Sequence, residues 1–521
     1  MNTRLPLLHR VLLVSVVALL ALPFVLQAAE KSASYKAALE SITGEDLLAR
    51  DKVLADEKLE GREAGTPGGL EARKYLIEQY TKLKLQPAGP EGKFEQPFMS
   101  NFCNIVGVIP GRDPALKNEY VLVEAHYDHV GHGGHGMSYD PGGIHPGADD
   151  NASGSSALME IVQAFTFLSE PPKRSVLILA TDAEEKGLFG SKHWAAHPTV
   201  PLEKVVAGIN MDMIGRLRDD KLYVYGMRTG VGWRRLISEQ NDDLRMNLDF
   251  NWEFKPNADY YPIYEKGVPV LMFHTGLHEN YHRTSDTPDR LNAPGMSRVA
   301  RLVFCVVAEL AERPERIAYR SGAKRENERT ETLLTEQSPT PPSRLGVTVD
   351  SAVNNDLPGV RIMKIEADSP ASRAGLKEDD RILEFSGREV QKCDDLIGMV
   401  MTAESPAKAV VRGPQEEKSR EIQIDLAGHP MRLGFTWRVD EAEPKALIVT
   451  HVVSGTPAAL VGMLPGDRIY QVAGRDFADE NEFIGLAKAA ADALDLLIER
   501  NGKIQAMHLN IKTAAPLKRA A

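Results

Sequence analysis

Val121-Leu-Val-Glu-Ala125 runs straight into His126-Tyr127-Asp128, and the reading of this stretch decides the fold. A short aliphatic run, too brief for a buried helix and closed by polar groups, reads as a buried strand ending at a surface. Ser175-Val-Leu-Ile-Leu-Ala180, Val205-Val-Ala-Gly-Ile209 and Val268-Pro-Val-Leu-Met-Phe273 repeat the pattern. Ala152 to Leu168 and Met296 to Ala311 carry the spacing of helices. Alternation of this kind predicts an α/β domain, a largely parallel or mixed sheet covered by helices on both faces. Upstream, Ser41 to Ala88 reads as polar and helical, with apolar residues at helical spacing from Leu70 to Leu83.

Acidic and histidine residues stand just after these strands. His126 and Asp128 follow the first, and Ala183-Glu184-Glu185 the second. Asp212 follows the third, and Tyr281-His282 and Asp286 come shortly after the fourth. Gly147-Ala-Asp-Asp-Asn-Ala-Ser-Gly154 leads into the helix that opens near Ala152. Each alone has a plainer explanation: a capping pair, an N-cap before a helix, a solvated acidic face. Gathered at strand ends they point to one crevice, because open α/β sheets form their crevice at the carboxyl ends of strands. Histidines with several carboxylates suit zinc, and a paired-metal site needs one carboxylate to bridge.

His278-Glu279-Asn280-Tyr281-His282 also matches the His-Glu-x-x-His pattern of single-zinc proteases. That pattern works only on a helix, where positions four apart share a face. Here it follows a strand and Gly276 and runs into Arg-Thr-Ser-Asp-Thr-Pro288, so a loop is expected instead. The histidines of Gly131-His-Gly-Gly-His-Gly136, with His145, read as a flexible rim or a substrate-contacting lid rather than a further metal site.

The chain has 521 residues, too many for one ordinary core. Its net charge of −11 argues against a nucleic-acid partner. Cys103, Cys305 and Cys393 are too few and too scattered for a disulfide framework or a thiolate metal site. Arg4, His9 and Arg10 precede an apolar run from Val11 to Leu26, closed by Gln27-Ala28-Ala29. This layout predicts a signal peptide over residues 1–29 and an exported protein, periplasmic or extracellular. The apolar run is short for a membrane span, so no stable transmembrane anchor is expected after cleavage.

Beyond the α/β region the chain repeats itself. Ser369-Pro-Ala-Ser-Arg-Ala-Gly-Leu-Lys-Glu-Asp-Asp-Arg-Ile-Leu383 aligns without gaps to Thr456-Pro-Ala-Ala-Leu-Val-Gly-Met-Leu-Pro-Gly-Asp-Arg-Ile-Tyr470. Each is preceded by an Arg-Leu-Gly-apolar run, Arg344 to Val347 and Arg432 to Phe435. The expected division is a catalytic domain over 30–313, a linker over 314–343, and repeats over 344–428 and 429–514. The linker ends in Ser338-Pro-Thr-Pro-Pro-Ser343 and has too few apolar residues to order itself firmly.

The ordered set of strand-end residues resembles the co-catalytic zinc aminopeptidases of metallopeptidase family 28, over roughly Leu47 to Arg313. Glu60-Gly-Arg-Glu-Ala-Gly-Thr66 resembles a stretch often found upstream in that family. The resemblance implies a three-layer α/β/α zinc-exopeptidase domain with a mixed central sheet and two Zn²⁺ per chain. It implies Asp150 as the bridging ligand, His126 and Asp212 on one metal, Glu185 and His282 on the other, and Glu184 as general base. It also implies a non-proline cis peptide at Asp150–Asn151. Tyr281 is a candidate oxyanion donor, Asp128 a candidate partner of the His126 imidazole, and Asp286 of His282.

The two repeats resemble PDZ domains, small β-rich modules that capture an extended peptide at a sheet edge. Leu345-Gly346-Val347 and Leu433-Gly434-Phe435 are then the two carboxylate-binding loops, with peptide or protein tails as partners. The leading function is removal of amino-terminal residues from peptides, with the modules tethering substrate or partner tails. A carboxypeptidase or another amidohydrolase on the same fold, and an inactive peptidase fold serving its PDZ modules, are the alternatives.

Overall fold

The structure is a computed structural model and describes residues 32–134, 138–350 and 357–511. The expected signal peptide lies outside the described residues. Among those described, no helix is long and apolar enough to cross a membrane. The chain divides after Asn327 into two compact units.

The first unit opens with α1 (residues 32–41), α2 (Gly44–Leu54) and α3 (Pro67–Lys82). Threonines break the polar helical stretch into pieces: Thr43 accepts the N–H of Asp46, and Thr66 that of Gly69. The strands are β1 (Gln86–Pro87), β2 (Glu95–Phe98), β3 (Phe102–Ile109), β4 (Tyr120–His126), β5 (Ser175–Thr181), β6 (Val205–Met211), β7 (Lys221–Tyr225), β8 (Asn247–Phe250) and β9 (Val270–His274). They form one sheet in the order β1-β3-β5-β4-β6-β9-β7-β8, with β2 paired to β3. The centre, β5-β4-β6-β9, is parallel, while β3 adds to β5 and β7 to β9 in antiparallel sense, so the sheet is mixed.

Register places the carboxyl ends of the four central strands along one edge. His126 lies opposite Thr181, Glu124 opposite Asn210, and Met211 opposite Phe273. Side chains alternate between the faces. Leu122, Leu177 and Leu179 pack with Trp194 of α5 (Phe189–Ala196) and with Tyr260, Ile263 and Tyr264. The last three belong to α7 (Tyr260–Tyr264), which follows α6 (Trp233–Gln240). The alternate residues Val121 and Val123 face the other side, where α4 (Gly154–Thr166) and α8 (Ala293–Glu312) cover the central strands. Helix α4 begins two residues later than its apolar spacing predicts, because Ala148–Ser153 form a turn with non-helical backbone at Asp150 and Asn151.

The expected linker is not a free tether. Residues 318–320 pair with residues 229–231, through the N–H of Val231 on Ala318 O and the N–H of Arg320 on Thr229 O. Ile317 is buried, and Glu326 binds both Arg228 and Arg320. Backbone pairing and an ion cluster order this part in place of apolar burial.

The second unit starts with α9 (Glu328–Thr335), and Ser338 N–H donates to Thr450 O. The first repeat contains β10 (Val347–Val349), β11 (Val360–Ile365), α10 (Pro370–Arg373), β12 (Arg381–Phe385), β13 (Arg388–Glu389), α11 (Cys393–Thr402), β14 (Ala407–Arg412) and β15 (Arg420–Ile424). The second contains β16 (Phe435–Asp440), β17 (Glu443–Val452), α12 (Pro457–Leu460), β18 (Arg468–Val472), β19 (Arg475–Asp476), α13 (Glu480–Ala489), β20 (Ala493–Arg500) and β21 (Lys503–Asn510). The sheets have the same strand order, β10-β11-β12-β14-β15 and β16-β17-β18-β20-β21, and each closes on its own apolar core. All three cysteines are free.

Candidate metal centre

Four parallel strands ending on one edge bring their trailing loops together. His126 is the last residue of β4, and Asp212 follows β6 directly. Ala183, with φ of 57°, marks the turn that carries Glu184 and Glu185 away from β5. The loop after β9 supplies His282, and the turn before α4 supplies Asp150. The Asp150–Asn151 peptide is cis.

Asp150 stands between two groups of donors. Its Oδ1 lies 3.4 Å from His126 Nε2, which is 3.5 Å from Asp212 Oδ1. Its Oδ2 lies 3.1 Å from His282 Nε2, which is 3.1 Å from Glu185 Oε2. His129 joins the second group, with Nδ1 2.8 Å from Glu185 Oε1 and 3.7 Å from Asp150 Oδ2. The donor atoms of each group lie within 4.8 Å of one another. Imidazole nitrogens and carboxylate oxygens converging in this way fit a divalent cation in each group, with Asp150 shared.

The electrostatics agree with that fit. Burial pushes the Asp150 carboxyl up, yet the imidazoles of His126, His282 and His129 overcome it and hold the group well below its usual range. Burial works against protonation of His282, but Asp150 and Glu185 outweigh it and push the imidazole up to about 11. Crowded carboxylates thus demand positive charge, which a cation supplies in place of protons. Glu184 is held well above the ordinary carboxylate range by burial first, with Glu185, Asp259 and Asp212 adding to it and His126 opposing. The Tyr281 ring stacks on His282 at 3.9 Å between centroids. Burial and then the negative charges of Asp150, Glu185, Asp212 and Glu184 push its phenol upward, so the hydroxyl stays a donor.

Two supporting carboxylates hold partners beyond those expected. His126 Nδ1 faces the backbone carbonyl of Asp128 at 3.2 Å, with the Asp128 carboxylate further away at 3.7 Å. That carboxylate also accepts the N–H groups of Glu184 at 3.0 Å and Glu185 at 3.4 Å. Asp286 Oδ2 accepts the N–H groups of Asp149 at 2.9 Å and Asp150 at 3.1 Å, so it secures the shared ligand's turn.

The His-Glu-x-x-His segment is a loop, as its surroundings predict. His278 Nε2 turns to Asp149 Oδ2 at 3.2 Å, while His282 serves Asp150, so the two histidines do not share a ligand position. In the rim, His145 is buried and bonded to Gly143 O and Ser138, His132 is exposed, and His135 lies outside the described residues.

Sequence reasoning passed over two residues. His129 is buried, and its Nε2 meets no partner among the described residues. A Cβ on Gly147 would stand 2.5 Å from the His129 ring, so only glycine fits that turn. The signal was its position, three residues beyond His126 in the same loop. Arg62, within the upstream Gly-Arg-Glu-Ala-Gly stretch, is wholly buried. Its guanidinium donates to Tyr127 O at 2.9 Å, Leu54 O at 2.8 Å, Pro146 O at 2.5 Å and Gly147 O at 2.9 Å. One cation thereby ties the loop after His126 to the turn before Asp150.

In the second unit, Gly346 and Gly434 adopt φ of 75° and 86°. A Cβ on either would collide with Ser369 or Thr456 beneath. Leu345-Gly346-Val347 and Leu433-Gly434-Phe435 therefore sit at the start of β10 and β16, each pressed onto the first turn of a short helix.

Fold and site together define a mixed-sheet α/β protein whose histidines and carboxylates are arranged for divalent cations at the carboxyl edge of the sheet. Residues 104–307 match peptidase family M28, and residues 343–426 match a PDZ domain. It is 25% identical over 224 residues to aminopeptidase YwaD of Bacillus subtilis, across 41% of this chain and 46% of that one. It is 32% identical over 239 residues to leucine aminopeptidase 1 of Trichophyton rubrum, across 41% and 60%. The LapA aminopeptidase structure of Legionella pneumophila aligns with a TM-score of 0.45 and 21% identity, over 55% of this chain and 76% of that one. The chain spans about half the length of the curated relatives it matches.

Proposed function

We propose that the chain is a zinc-dependent aminopeptidase that removes amino-terminal residues from peptides. The observation that carries this reading is Asp150, placed between two donor groups with Glu184 alongside. His126, Asp150 and Asp212 would hold one Zn²⁺, and Asp150, Glu185 and His282 a second, with His129 bracing Glu185. When bound, the pair would polarise the scissile carbonyl and lower the pKa of a water. With bound cations offsetting the burial and carboxylate crowding that raise its carboxyl, Glu184 would take the proton of the attacking water and deliver it to the leaving amine. The Tyr281 hydroxyl donates to the developing oxyanion. Asp128 and Asp286 keep Glu184 and Asp150 in place through their backbones.

In this reading residues 1–29 direct export to the periplasm or the cell exterior. The repeats over 344–428 and 429–514 act as PDZ modules that hold peptide tails near the catalytic domain and raise their local concentration. The aminopeptidase relatives support the activity, and the strand order common to both repeats supports the second module.

The test uses one short peptide, free or acetylated at its amino terminus, with zinc present and after chelation, read by mass spectrometry. Stepwise loss of residues from the free, zinc-supplied peptide alone is expected. Shortening from the carboxyl end would move the assignment to a carboxypeptidase. Absence of cleavage with two metals bound would favour an inactive fold that serves its PDZ modules.

A further inference from the structure

The two repeats share a fold but not the state of their carboxylate loops. In the first, the Ser343 hydroxyl accepts the N–H groups of Leu345 at 3.3 Å and Gly346 at 3.0 Å. The chain thereby fills its own anion nest. Met431 stands in the place of Ser343 before the second loop and has no hydroxyl to offer. No described group accepts the N–H of Leu433 or Gly434.

A groove of about 450 Å³ opens beside that free nest, between β16 and α13, floored by Leu433, Phe435, Phe483, Ile484 and Ala487. Arg432 reaches Ala490 O and Ala491 O, which places the nest at the carboxyl-terminal end of α13. At the opposite end the Glu480 carboxylate lies on the rim, held by Trp437 Nε1 at 2.7 Å. The first repeat also serves as a platform. Met431 N–H donates to Met401 O at the end of α11, and Gly398 of α11 is so close to Gly455 that a Cβ would stand 2.1 Å from its carbonyl oxygen.

We propose that the second repeat alone is the open tail-binding module, and that among tails with a free carboxylate and an apolar last side chain it selects those with a cationic side chain about three residues upstream. This rests on the reading of both repeats as PDZ modules. The carboxylate accepts the free N–H groups of the 433–434 loop, and the last side chain enters the apolar groove. The helical length from Ala487 to Glu480 is about 10 Å, which an extended peptide covers in about three residues. A cation there meets Glu480. The first repeat, capped by Ser343, supports the second.

The test is fluorescence anisotropy on the full chain with fluorescein-Gly-Ser-Lys-Ser-Gly-Leu, as the free acid and as the carboxyl-terminal amide. The dye blocks the amino terminus, so binding is read independently of turnover and of the aminopeptidase assignment. One saturable site per chain is expected for the acid, with the amide at least about tenfold weaker. Ile484→Glu should abolish binding, whereas Ile397→Glu, at the matching position of α11, should not. Glu480→Arg should weaken the lysine peptide and favour one with glutamate in its place, a reversal that misfolding does not produce. Ser343→Ala should raise the count to two sites per chain. Equal binding of acid and amide, loss through Ile397→Glu instead of Ile484→Glu, a count unchanged by Ser343→Ala, or no saturable binding at all would overturn the proposal.

Discussion

Asp128 Oδ1 accepts the backbone N–H of Glu184 at 3.0 Å, so the carboxylate two residues beyond one candidate ligand fixes the backbone of the candidate base. Asp128→Asn can keep its carbonyl contact with His126 while weakening the hold on Glu184. We expect kcat to fall by about 10- to 100-fold with zinc content close to wild type. Metal analysis beside steady-state kinetics checks this, and parallel loss of zinc and activity would instead assign Asp128 to holding the ligand.

Glu184→Gln keeps the size of the side chain and removes its proton acceptor. Turnover should drop by at least about 100-fold with metal content retained. Glu279→Gln should leave kcat/KM near wild type, since Glu279 lies on a loop outside both donor groups. A dead Glu279 variant would restore the single-zinc reading.

Arg62→Leu leaves four carbonyl oxygens without their donor and a set of buried carboxylates without their cation. A loss of about 3–5 kcal/mol is expected, read as a lower denaturant midpoint of the first unit. Arg62→Lys should retain part of the stability, because the charge stays while the fork of donors is lost.

Burial raises the Glu326 carboxyl, but Arg228 and Arg320 overcome this and hold it at about 2, against an ordinary value of 4.5. A depressed carboxyl stabilises the fold above its unfolded value and loses that contribution as pH falls toward its folded value. Docking of residues 317–326 should therefore persist above about pH 4.5 and loosen between about pH 4.5 and 2. Hydrogen exchange of this segment at about pH 5 and about pH 2.5 reads the change. Glu326→Gln should abolish the pH dependence.

Much of the first unit was legible because its central strands are buried on both faces and so appear as continuous apolar runs. Polar residues after four such runs stand at the sheet edge where the two donor groups converge. The runs were less informative about the edges: β3, β7 and β8 lack so clean a pattern, and their antiparallel pairing rests on neighbours distant in the chain. His129 escaped notice because its partner Glu185 lies 56 residues away. The order within residues 317–326 is not legible in composition, because it rests on main-chain pairing with residues 229–231.

The sequence by itself determined the four central strands, that their trailing loops carry imidazoles and carboxylates, and that a repeat follows. These are local properties, set by the periodicity of burial and by the chemistry of side chains at the strand ends. Only the tertiary structure decided which carboxylate serves which partner. Asp128 holds the backbone of Glu184 as well as standing beside the His126 ring, Asp286 holds the backbone of Asp150, and Ser343 caps the first loop's own N–H groups. The physical reason is range. A hydrogen bond is settled within about 3 Å, and the chain segments that meet at that distance are chosen by sheet register and packing rather than by neighbours in sequence.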